Sequence, residues 1–115
     1  MYIQPVLNNN PSFGIKISSQ ILQTADDFYI KKRHNKELFD KLYRKSKYME
    51  DNFGFNEYTL TIKNCKIDGK RTHALYAVKD IDPKHPVLIA VKENVNKILE
   101  KFQHLSEYEL NNKLL

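Results

Sequence analysis

The chain has 115 residues, 41% of them hydrophobic and 29% charged, with a formal net charge of +5; this is one domain's worth of polypeptide, too apolar for wholesale disorder, since a single core serves roughly 100 to 200 residues. The longest apolar run, residues 87–91, ends at Lys92, far short of the roughly 20 residues of a membrane span. The start MYIQPVLNNN has neither a basic opening nor an apolar stretch of signal-peptide length, and one cysteine excludes an intramolecular disulfide, so the expectation is a soluble protein of the reducing cytoplasm with no membrane partner.

Pro5, the run Asn8-Asn9-Asn10 and Pro11 are turn formers without a sustained period, which predicts a flexible arm over residues 1–12 and a single α+β domain over residues 13–115. Phe13, Ile15 and Ile17 alternate with Gly14, Lys16 and Ser18, the two-residue period of a short half-buried strand. Ser18 or Ser19 can cap a helix over about 19–32, where Ile21, Leu22, Ala25, Phe28 and Tyr29 share one face. Asn35, Glu37 and the helical spacing of Leu38, Phe39, Leu42, Tyr43 and Met49 predict a second helix over about 36–51, with Gly54 placed to stop it.

The charge is concentrated in this second region. Residues 31–48 hold Lys31, Lys32, Arg33, Lys36, Lys41, Arg44, Lys45 and Lys47 against only Glu37 and Asp40, so the whole positive excess falls there. Such a segment would attract a polyanion, RNA or DNA, through salt-sensitive phosphate contacts. The plainer reading is the solvated face of a helix whose last turns place Arg44, Lys45 and Lys47 at the negative end of the dipole.

From residue 57 the period becomes two: Tyr58, Leu60 and Ile62 alternate with Thr59, Thr61 and Lys63. Asp68-Gly69 between two such runs predicts a two-residue hairpin turn with both central residues at positive φ. The expected register pairs Ile67 with Lys70, Ile62 with Leu75, Leu60 with Ala77 and Tyr58 with Lys79, which gathers one apolar face. The opposite face, with Thr59, Thr61, Cys65, Thr72, Ala74, Tyr76 and Val78, is apolar enough to be covered by the N-terminal arm or a partner. Residues 87–91 read as buried strand or as helix; Leu88, Val91, Val95, Ile98, Phe102 and Leu105 at alternating spacings of three and four favour a helix begun by Asp82-Pro83. Ser106 and Glu109 form a capping-box pattern for a last short helix carrying Leu110 and Leu114. The fold expected is α+β: a short N-terminal strand, two helices, an Asp-Gly hairpin, then C-terminal helices packed on one sheet face.

Chemistry is sparse. Three separated glycines cannot build a phosphate loop, so no nucleotide cofactor is expected. His34, His73, His85 and His104 have no zinc-site spacing, and Cys65 alone cannot supply paired thiolates, so no metal is expected. Cys65 faces Thr72 in the expected register, which puts His73 on the other side of the sheet and leaves no catalytic pair. The tyrosines, mostly at positions expected to face the core, could otherwise stack on unpaired bases.

The order strand, helix, helix, hairpin, helix resembles small ribosome-dependent mRNA-cleaving toxins of the RelE type, over most of the chain and without a shared motif. The resemblance implies a fourth strand at residues 87–91 and RNA contacts from strand ends, where Arg71 and His73 are the candidates. The leading expectation is a non-enzymatic binding, adaptor or inhibitor module acting through a protein interface, with a protein partner or a second copy of itself. The alternative is a basic RNA-binding or RNA-cleaving protein using Lys31, Lys32, Arg33, Lys36, Lys41, Arg44, Lys45 and Lys47.

Overall fold

The computed structural model describes residues 14–115; the arm expected over residues 1–12, and Phe13, lie outside the described residues. The chain forms β1 (Lys16–Ile17), α1 (Ser19–Ala25) continuing as a π-helix (Asp26–Lys32), α2 (Lys36–Asn52), β2 (Tyr58–Ile67), β3 (Lys70–Lys79), β4 (Asp82–Lys92), α3 (Val95–Gln103) and α4 (Glu107–Leu114). One mixed sheet runs in the order β1-β2-β3-β4, with β1 parallel to β2 and the remaining pairs antiparallel.

The hairpin has the expected register, with Ile62 opposite Leu75 and Leu60 opposite Ala77. Its turn has Asp68 at φ 53° and Gly69 at φ 77°, the left-handed geometry that a two-residue turn needs to match the twist of its strands. The core cluster takes Tyr58, Leu60, Ile62, Leu75 and Ala77 from the hairpin, all of one face, together with Ile21, Leu42, Met49, Ile98, Phe102, Leu105 and Leu110 from the helical segments. Helices and core therefore share that face. Of the outer face, Ala74 is buried but stands apart from the cluster.

The helix expected from Asp82-Pro83 does not form. Residues 82–92 are an edge strand, and α3 starts only at Val95, with the Asn94 side chain accepting the Lys97 N–H at 2.9 Å. Pro83 and Pro86 fall where the pairing shifts between Ala77 and Lys79, and a bulged edge strand tolerates residues that cannot donate to a ladder. The fourth strand implied by the element-order resemblance is thus present.

Smaller differences have local causes. Ser18 occupies the N-cap position of α1, yet its hydroxyl bonds Thr61 Oγ1 at 3.1 Å instead of capping. α2 ends with Phe53 in an extended conformation rather than at a left-handed glycine, and the Gly54 N–H donates to Glu107 Oε2 at 2.9 Å. Because α2 runs on to Asn52, no cation lies in its last turn, and the dipole does not account for Arg44, Lys45 and Lys47. On the expected inner face of α2, Leu42 and Met49 are buried while Leu38 and Tyr43 are exposed. Among the described tyrosines only Tyr29 and Tyr58 are core residues; Tyr43, Tyr48 and Tyr108 are exposed. Half of the capping box forms: Ser106 Oγ accepts the Glu109 N–H at 3.0 Å, and the Glu109 carboxylate pairs with Lys101 instead.

Candidate nucleic-acid interface

The eight cations expected to form one patch are dispersed over the π-helix and two sides of α2, and half are already engaged. Lys31 pairs with Asp27 at 3.2 Å, Lys36 with Asp40 at 3.0 Å and Lys47 with Glu50 at 3.4 Å. Lys45 turns inward: its ammonium donates to the Leu105 carbonyl at 2.7 Å and lies 5.6 Å from the Phe53 ring centre, and burial pushes its pKa down. Lys32 and Arg33 lie over the Phe28 ring, the guanidinium at 5.1 Å. Lys41 and Arg44 are exposed and enter no ion pair among the described residues. Three of the eight are thus ion-paired and Lys45 is turned inward, so the segment presents fewer free cations than its sequence displays.

A second set of cations lies along the sheet and α3. β1 pairs with β2 only at Thr59 and Leu60, and β4 reaches only as far as His73 along β3. Beyond those limits the hairpin runs, among the described residues, as a two-stranded arm. Its register sets Lys66 directly opposite Arg71 and Asn64 opposite His73, while Lys92 at the end of β4 lies opposite His73 on the other side. By strand alternation Asn64, Lys66, Arg71 and His73 share the helix-side face of the arm. Like charges directly across a ladder cost stability. Lys66, Arg71, Lys92 and, one turn into α3, Lys97 form no ion pair among the described residues.

Two surface hollows follow this strip. One is lined by Asn64, Cys65, Lys66 and Arg71; the other, of about 300 Å³, is lined by Lys92, Lys97, Glu100, Lys101 and His104. His73 stands in the register between Asn64 and Lys92, its Nδ1 held by Asn64 Oδ1 at 2.7 Å and its pKa lowered first by burial and then by the nearby Arg71 charge. Cys65 stands on the outer face with its thiol 3.0 Å from Thr72 Oγ1. No group of histidine, cysteine, aspartate or glutamate side chains suited to a metal ion occurs among the described residues. Nor is any helix among them long and apolar enough to cross a membrane.

Of this strip, sequence reasoning singled out only Arg71 and His73, by resemblance. The Lys66–Arg71 opposition follows from the register that the Asp-Gly turn dictates, so the signal was available; Lys92 and Lys97 depend on β4, which was read as helix. Comparison with protein-family models, with curated proteins and with solved structures finds no match.

Proposed function

We propose that the protein binds nucleic acid along the strip formed by Lys66, Arg71, Lys92 and Lys97, and not chiefly through residues 31–47. The observation that carries this reading is the Lys66–Arg71 opposition, a like-charged cross-strand pair in which neither cation forms an ion pair among the described residues. A row of phosphates supplies the missing counter-charge and releases condensed ions on binding, which makes the interaction salt-sensitive.

The test is fluorescence anisotropy with a labelled oligouridylate over a salt series. The expected slope of log affinity against log salt is about −0.7 per phosphate engaged. Lys66→Glu/Arg71→Glu lowers affinity by at least about tenfold and flattens the slope, whereas Lys36→Glu, whose native partner Asp40 already neutralises it, changes little. A parent that binds no oligonucleotide at low salt overturns the proposal.

A second reading, the protein-binding module, is favoured by one observation. Leu88 on β4 is 46% exposed opposite Tyr76 on the outer sheet face, which lies away from the core cluster. A partner held through that face would persist at high salt and survive Lys66→Glu/Arg71→Glu.

A further inference from the structure

The π-helix is the least ordinary element in the molecule. Widening from one i+4 ladder to i+5 bonds, such as Arg33 N–H to the Phe28 carbonyl at 3.0 Å, is rare over a run of seven residues. It is followed at once by His34 in the left-handed region at φ 54°, a conformation that costs a non-glycine residue roughly 1 to 3 kcal/mol. Both irregularities border one groove, between the π-helix, the start of α2 and α3.

The groove consists of two adjoining hollows of about 350 and 190 Å³ that share Tyr29, Leu38, Asn96 and Glu100. Its floor is apolar: Tyr29 is buried beside Phe28, with the ring centres 5.4 Å apart, and Leu38 is 39% exposed. Its rim is polar and has both signs. Arg33 lines the larger hollow and Lys41 the smaller, while the Glu100 carboxylate faces them without an ion pair among the described residues. Glu100 lies near enough to the Tyr29 phenol to help raise its pKa, after burial. Glu100 and His104 also line the hollow that holds Lys92 and Lys97, so the groove opens onto the basic strip.

We infer that this groove is the seat for one unpaired base of the bound strand, and that the base it prefers is guanine. The inference rests on the nucleic-acid reading above, because the strip delivers the phosphates that place a base over Glu100. A carboxylate accepts hydrogen bonds and donates none. Guanine alone among the bases offers two adjacent donors on its pairing edge, N1–H and the N2 amino group, which a carboxylate meets together. Asn96 supplies an amide for a ring acceptor. The Arg33 guanidinium, 5.1 Å from the Phe28 ring centre, gives a plane on which a base can stack. Arg33 and Lys41 answer the phosphate on the sugar.

The probes are the four nucleoside 5′-monophosphates, titrated into the full-length protein and followed by amide chemical shifts. Guanosine monophosphate is expected to bind at least about tenfold more tightly than the adenosine form, since a site built for hydrogen bonding rejects an analogue lacking the donors. Glu100→Gln replaces one acceptor by a donor; it is expected to abolish that preference while leaving the exposed helix face folded. Asn96→Ala weakens guanosine monophosphate by a few-fold, and Lys66→Glu/Arg71→Glu leaves mononucleotide selectivity intact. Equal binding of the four nucleotides, no binding of any, or an unchanged preference in Glu100→Gln overturns the base seat. Salt-sensitive binding of oligouridylate in that case leaves the strip standing, and selective guanosine monophosphate binding without oligouridylate binding overturns the strip alone.

Discussion

Gly14 is predicted to be the least replaceable glycine in the chain. A Cβ built there falls inside van der Waals contact of three backbone oxygens, those of Met49, Glu50 and Phe53. All belong to the last turns of α2 and its C-cap, where the chain leading into β1 docks through Gly14 N–H to Glu50 O and Ile15 N–H to Phe53 O, each at 2.8 Å. Backbone cannot swing aside as a side chain can, so Gly14→Ala must separate β1 from α2. The overpacking costs about 1 to 3 kcal/mol. Losing two backbone hydrogen bonds adds about 0.5 to 1.5 kcal/mol each, which brings the sum to roughly 2 to 6 kcal/mol. Against a typical total of about 5 to 15 kcal/mol, that lowers Tm by about 10 °C or more. Thermal unfolding followed by circular dichroism measures it. A melting temperature within about 2 °C of the parent would refute the reasoning, since it would require α2 and β1 to part at no cost.

Gly69→Val should destabilise by a different route: no atom lies within 4 Å of the added Cβ, so the about 1 to 3 kcal/mol expected is pure strain from φ 77°, and an unchanged Tm would refute the tight turn. Lys45→Ala should cost about 1 to 3 kcal/mol in urea unfolding, because it strands the Leu105 carbonyl and uncovers Phe53, while Lys41→Ala should stay within about 0.5 kcal/mol; equal effects would show Lys45 to be solvated. His73 gives a pH test with two signs. Its pKa is lowered in the folded state by burial and by Arg71, so protonation is disfavoured there, and the free protein should lose stability as pH falls below about 6.5. Phosphates drawn to Arg71 and Lys92 favour the imidazolium instead, so oligouridylate affinity should rise over the same interval and His73→Asn should remove the rise; a pH-independent affinity would argue against phosphates near His73.

The hairpin was legible because its determinants are local: the Asp-Gly pair sets the turn, the turn sets the register, and alternation then sets both faces. β4 was not, and the reason lies in its pairing. Val87 and Ala90 pair with the core-side residues Ala77 and Leu75, Leu88 and Val91 pair with the outer-side Tyr76 and Ala74, and Ile89 is the extra residue at the shift. Ile89 is buried in the core cluster. The inward positions therefore run 87, 89, 90 and the outward ones 88, 91, and a spacing broken by a bulge imitates a helical one. The helical periodicity from Val95 onward is real and belongs to α3; carried back to Asp82-Pro83 it runs through the whole of β4, whereas the Asn94 cap marks the true start.

Charge shows the same separation between line and space. Linear density singled out residues 31–48, yet an α-helix brings residues three and four apart together, so a lysine-rich helix that also carries Asp40 and Glu50 neutralises itself through its own turns. An antiparallel ladder does the opposite to Lys66 and Arg71: five positions apart in sequence, they are set face to face by the turn. A helix thus hides cations that the sequence displays, and a hairpin concentrates cations that the sequence spreads out. Where the register is fixed by a turn as specific as Asp68-Gly69, cations opposed across a hairpin are a stronger pointer to a polyanion than a larger count of lysines along a helix.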